Sequence, residues 1–123
     1  MHSFNKLERL SSKAAIKKLF EEGEAIVASS FLLLWKENTD KYSTTQTLIS
    51  VPKRNISLAT KRNLIKRRAN EAFRVNKEKL YAKLLERNKQ INIAIIYQKK
   101  EIQTYKIIEQ KINLLLNRLI HDL

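Results

Sequence analysis

The residues from Thr47 to Tyr97 read TLISVPKRNISLATKRNLIKRRANEAFRVNKEKLYAKLLERNKQINIAIIY. Thr47 to Pro52 is an apolar run that stops at a proline, which cannot donate to a sheet ladder, and it predicts a strand. Ser57 to about Leu85 predicts a long helix. Leu58, Ile65, Ala69, Ala72, Phe73, Leu80 and Leu84 fall on one side at about 100° per residue, and Ser57 stands where a cap is wanted. Ile91 to Tyr97 is a second strand, rich in β-branched residues. A long helix between two strands is a crossover connection, so the sheet is expected to be mixed rather than purely antiparallel.

Outward from this stretch, Thr104 to Leu119 carries Ile108, Ile112, Leu115, Leu116 and Leu119 as an apolar helical stripe. On the other side, Phe31 to Lys36 and Ala25 to Val27 read as strands bounded by polar clusters. Ser11 to Glu22 reads as a first helix with Ser11 or Ser12 as cap. Gly23 follows, where a left-handed C-cap is expected. The order is α-β-β-β-α-β-α: one α+β domain over residues 1–123, a four-stranded mixed sheet packed with three helices. Gly and Pro occur once each, which leaves no composition for a flexible linker.

Composition excludes several chemistries. With no cysteine there is no disulfide framework, thiolate zinc site or cysteine nucleophile. His2 and His121 sit at opposite ends of the chain, so neither a metal site nor a catalytic residue is expected on the protein. The single glycine rules out a phosphate-cradling glycine loop. No run of 18 apolar residues occurs, and Met1 to Lys6 lacks the apolar core of a secretory signal, so the expected compartment is the cytoplasm.

Charge points to a partner. Lys and Arg number 25 against 12 acids, a net +13, which asks for a polyanion. Between Ser50 and Arg74 lie Lys53, Arg54, Lys61, Arg62, Lys66, Arg67, Arg68 and Arg74, against Glu71 alone. Eight cations less one acid is +7, more than half of the +13, in a fifth of the length. With Arg62 at zero and about 100° per residue, Lys66, Asn70, Asn63, Arg74 and Arg67 spread from about 40° to about 140°, while Ile65, Ala69 and Ala72 lie at about 280° to 340°. Arg offers a fork to phosphate oxygens, Lys a point charge, and Asn both donors and acceptors for sugar and base edges. An ordinary solvated helix face would interleave acids four residues from the bases, and here only Glu71 is available to do so. A membrane-surface helix would carry bulky apolar residues opposite its cations, but Ile65, Ala69 and Ala72 are small and core-like.

Arg62-Asn63-Leu64-Ile65-Lys66-Arg67, followed by Glu71-Ala72-Phe73-Arg74, resembles the signature of the protein subunit of bacterial ribonuclease P. The resemblance runs along the chain through Phe4-Asn5-Lys6 with Arg9-Leu10, Leu19-Phe20-Glu21-Glu22-Gly23, and Ile49-Ser50-Val51-Pro52-Lys53-Arg54. It implies a left-handed crossover through the long helix, contrary to the usual right-handed one. It also implies a partnership. A catalytic RNA hydrolyses precursor tRNA with bound Mg2+, held mainly by RNA and substrate, and the protein assists removal of the 5′ leader. By this resemblance Lys53, Arg54, Lys61, Arg62, Asn63, Lys66, Arg67, Asn70 and Arg74 contact the catalytic RNA. Phe20, Ile16, Leu34 and Lys53 are the expected leader contacts.

The chain departs from the family pattern in places. Leu64 stands where many members carry a second arginine, and Asn55-Ile56-Ser57-Leu58 has no glycine. Ile16 and Leu34 replace an aromatic and a tyrosine, and Trp35 must face away from Leu34 on a strand. The alternative is a ribosomal-type protein that binds rRNA structurally, without an enzyme role.

Overall fold

A strand that is apolar at nearly every position needs cover on both faces, and the fold is arranged around one such strand. The computed structural model describes residues 8–38 and 44–123; His2, the Phe4-Asn5-Lys6 segment and residues 39–43 of the polar turn lie outside the described residues. The elements are α1 (Lys13–Glu22), β1 (Glu24–Ala28), β2 (Phe31–Glu37), β3 (Gln46–Ser50), α2 (Ala59–Glu86), β4 (Ile91–Tyr97) and α3 (Tyr105–Asp122). The sheet order is β1-β2-β4-β3. β1 pairs antiparallel with β2, β2 antiparallel with β4, and β3 parallel with β4. The sheet is therefore mixed, and α2 makes the connection between its two parallel strands.

β4 lies inside the sheet, and its two faces meet different partners. Ile91, Ile93, Ile95 and Tyr97 join the large core beneath α2 and α3 with Phe31, Leu33, Ile65, Phe73, Leu80 and Ile112. Phe31 and Tyr97 meet edge to face at 5.3 Å, a favoured aromatic geometry. Ala94 and Ile96 turn the other way, into a smaller cluster with Leu10, Leu19, Ala15, Ile16, Leu32, Leu34 and Leu48 under α1. The edges are guarded. Leu10 donates to the Thr47 carbonyl at 3.0 Å beside β3, and Arg118 donates to the Val27 carbonyl at 2.6 Å on β1.

The helix starts obey capping chemistry in two of three cases. The Ser12 hydroxyl accepts from Ala15 N–H at 3.2 Å, and the Thr104 hydroxyl from Ile107 N–H at 3.4 Å. α2 differs from expectation: Ser57 does not cap it, and Leu58 holds the cap position with no side-chain hydrogen bond. Leu58 is 55% exposed rather than part of the apolar stripe, because it precedes the first helical turn. Gly23 is also corrected. It has φ −69° and ψ 153°, an extended backbone that leads straight into β1 and not a left-handed cap. The strand expected to reach Pro52 ends at Ser50, because the chain turns at 52–56, where Asn55 and Ile56 both donate to the Pro52 carbonyl.

Candidate nucleic-acid interface

Ile65, Ala69, Ala72 and Phe73 are fully buried, and they fix the rotation of α2 so that its first four turns carry their cations outward. Those cations do not stand on a convex rod. They line a groove of about 710 Å³ between α2 and the start of α3. Asn63, Lys66, Arg67, Asn70 and Arg74, all expected on one stripe, come together there. Tyr105, the first residue of α3, forms the opposite wall, and the sequence reading did not single it out. Its position could have been suspected only from the Thr104 cap, which places it on an exposed first turn.

Two guanidinium groups in the groove are already engaged. Arg68 donates to the Gln103 carbonyl at 2.6 Å, which ties α2 to the segment between β4 and α3. Arg74 is forked onto Glu71, with Nε at 2.9 Å from one carboxylate oxygen. This pair holds the exposed Glu71 carboxyl below its ordinary range and the Arg74 guanidinium above its own. Burial pushes the Tyr105 phenol up, and the nearby Glu71 carboxylate adds to the effect, so its hydroxyl stays a donor at neutral pH.

Arg62 is placed differently from its neighbours. Its guanidinium donates to the Ile56 carbonyl at 3.0 Å and the Ser57 carbonyl at 2.7 Å, and so clamps the loop that enters α2. Asn55 reinforces that loop by donating to the Tyr97 carbonyl at 3.0 Å. A segment without glycine is thereby held by side chains instead of by a special backbone conformation. Lys53 and Arg54 lie in the exposed turn before it, and Lys61 faces a separate concavity beyond it.

Of the expected leader contacts, Phe20, Ile16 and Leu34 belong to α1 and the sheet face it covers, whereas Lys53 lies in the exposed turn after β3. Phe20 is 49% exposed on α1 and is therefore not a core residue closing the helix. Ile16 and Leu34 are half-buried together in the cluster between α1 and the sheet. Trp35 packs against the opposite core, as strand alternation requires, and cannot replace Leu34.

The sequence reading also missed a buried polar cluster at the middle of α2. Lys77 is 5% exposed, with its ammonium 2.7 and 2.9 Å from the two oxygens of Glu8. The Tyr81 hydroxyl donates to the same carboxylate, and burial together with Glu8 drives its phenol well above the ordinary range. Further along, Asn76 donates to Glu109, Asn113 donates to Asn76 and Asn117 donates to Asn113, which stitches α2 to α3. Among the described residues no three His, Cys, Asp or Glu side chains come together as a metal site.

A family model for Ribonuclease P matches residues 4–120. The Ribonuclease P protein component of Porphyromonas gingivalis strain W83 is 31% identical over 107 residues, which is 86% of this chain and 78% of the relative. That of Thermotoga petrophila is 39% identical over 75 residues, 61% of this chain and 62% of the relative. Among solved structures, the RNase P protein of Thermotoga maritima superposes with a TM-score of 0.70 at 28% identity, over 90% of this chain and 96% of that one. The RNase P protein of Staphylococcus aureus shares the fold with a TM-score of 0.72 at 21% identity, over 91% and 94%.

Proposed function

The chain belongs to the ribonuclease P protein family, and from that premise we propose how it divides its surface between two RNAs. The groove of α2 grips the catalytic RNA, and the α1 face of the sheet receives the single-stranded 5′ leader of precursor tRNA. The observation that carries this reading is the gathering of Asn63, Lys66, Arg67, Asn70 and Arg74 in one groove against an aromatic wall. Lys66 and Arg67 bind backbone phosphates, and Tyr105 supplies a ring on which an unpaired base can stack. Arg62 contributes chiefly by holding the 56–58 loop, with its remaining donors toward the RNA. Lys53 and Arg54, exposed in the preceding turn, extend the cationic surface, and in this reading Lys53 also contacts the leader.

On the other face, the exposed ring of Phe20, one helical turn after Ile16 on α1, gives a sequence-tolerant platform for leader bases, with Ile16 and Leu34 in the apolar cluster beneath α1. The reaction is hydrolysis of a phosphodiester by the RNA subunit. The chain supplies affinity and position, with Mg2+ held by RNA and substrate, and it works in the cytoplasm. The role of a ribosomal-type rRNA binder has no observation of its own to favour it.

Reconstitution tests the division of labour. Added to its cognate ribonuclease P RNA at low magnesium, the protein is expected to stimulate precursor tRNA cleavage. Lys66→Ala with Arg67→Ala is expected to weaken binding to the catalytic RNA and to flatten its salt dependence by about 0.7–0.9 in slope per lost phosphate contact. Phe20→Ala is expected to spare that binding and to weaken precursor relative to mature tRNA. Equal losses for precursor and mature tRNA would remove Phe20 from the leader site, and no stimulation by the wild-type chain would sink the reading.

A further inference from the structure

A separate concavity, of about 300 Å³, lies at the first turn of α2 and shares no lining residue with the groove. One wall is the loop at 55–58 with Lys61, and the other is the connector between β4 and α3, at Lys100, Glu101 and Ile102. Lys61 and Lys100 are exposed, and neither has an ion-pair partner among the described residues. Two apolar side chains of the same lining stand open to solvent: Leu58 is 55% exposed and Ile102 37%. Exposed Leu and Ile flanked by two unpaired cations suit a ligand that has a flat apolar surface and a phosphate. The volume admits one nucleotide rather than a helix.

Both walls are already braced. The Tyr97 hydroxyl donates to the Glu101 carbonyl at 2.7 Å, and Arg68 donates to the Gln103 carbonyl at 2.6 Å, so the connector is anchored at two successive points. Asn55 anchors the opposite loop to the Tyr97 carbonyl, and Arg62 clamps it from α2. The cations and the apolar pair are therefore presented in a fixed arrangement, which lowers the cost of ordering them on binding. The Arg68 bond also makes the connector continuous with the α2 groove.

We propose that Lys61, Lys100, Leu58 and Ile102 form a cradle for one unpaired nucleotide of the catalytic RNA, with phosphate on the lysines and base or ribose on the apolar pair. The proposal rests on the reading of α2 as the surface for the catalytic RNA. It extends that surface to the β4–α3 connector.

The test measures binding of the full chain to its ribonuclease P RNA across a salt series. Lys100→Ala is expected to weaken binding about three- to ten-fold and to lower the salt slope by about 0.7–0.9, with Lys61→Ala/Lys100→Ala lowering it about twice as much. A benzophenone side chain placed at Ile102 is expected to cross-link to one position of the catalytic RNA. If Lys66→Ala weakens binding while Lys100→Ala changes neither affinity nor slope, the cradle is overturned and the groove stands. If neither variant acts, the groove reading falls and takes the cradle with it. If Lys100→Ala leaves the catalytic RNA untouched but weakens precursor tRNA, or if the cross-link lands on the leader, the proposed occupant is wrong. A thermal melt of each variant guards against misfolding, and the cross-link remains decisive where Lys100→Ala unfolds.

Discussion

Gly23 joins α1 to β1 with a backbone that any residue adopts, so its importance lies in the Cβ it lacks. An added Cβ would collide with the Leu19 carbonyl oxygen and come within 3.2 Å of the Trp35 carbonyl on the neighbouring strand. Both obstacles are main chain and cannot swing aside. Gly23→Ala is therefore expected to destabilise by about 1–3 kcal/mol, through the strain of overpacking, and to lower Tm by several degrees in a thermal melt. An unchanged melting point would show that α1 can shift off the sheet without cost. The sequence marked this glycine but for a different reason: position after a helix suggests a left-handed cap, while the approach of Trp35 comes from another strand. Arg62 teaches the same lesson. Its place on the wheel was legible, but its engagement with Ile56 and Ser57 depends on how the loop enters the helix.

At the scale of the element, α2 changes its use along its length. Ile65, Ala69, Phe73 and Lys77 are successive members of one row spaced four apart, and all four are buried. Such a row winds about 40° per step, so by Lys77 the buried direction has moved to about 60° from Arg62, inside the arc that is cationic further up. This is why the exposed cationic stripe ends near Arg74. The helix period and the first half of the stripe were readable from residue spacing. The burial of Lys77 was not, because its cover comes from Glu8, 69 positions earlier in the chain. Lys77→Met should leave the Glu8 carboxylate buried without its ammonium partner, and a loss of about 3 kcal/mol or more is expected in denaturant unfolding. Joint replacement with Glu8→Leu should recover most of that loss. If the double variant is as unstable as the single one, the ion pair is not what fastens the N-terminal segment to α2.

For the whole molecule, the sheet separates the two surfaces proposed to bind RNA, with α2 and α3 on one side and α1 on the other. Their phenols also give the protein an alkaline limit. Tyr81, Tyr97 and Tyr105 are all raised from the ordinary 10.0, chiefly by burial. Above about pH 10 the unfolded chain releases these protons while the native one keeps them, so the native state binds more protons and stability falls as pH rises. The midpoint in denaturant should therefore drop between about pH 10 and 11, and less steeply in Tyr81→Phe. A flat profile would mean that Tyr81 is open to solvent. The order of elements and the mixed sheet were legible because apolar periods and lengths differ clearly between helix and strand. The groove wall at Tyr105 and the β4–α3 connector were not, because they arise where distant segments meet. The parallel pairing of β3 with β4 has a consequence in time. The 40 residues from 51 to 90 must be looped before a single rung of that ladder forms, at an entropic cost of about 3 kcal/mol. The β1–β2 hairpin closes over two residues and α2 is local, so both are expected early in folding, with β3 docking late. A nascent chain would then display its cationic helix before its sheet is complete, and RNA that binds the finished fold more tightly than this intermediate would favour the last step by mass action.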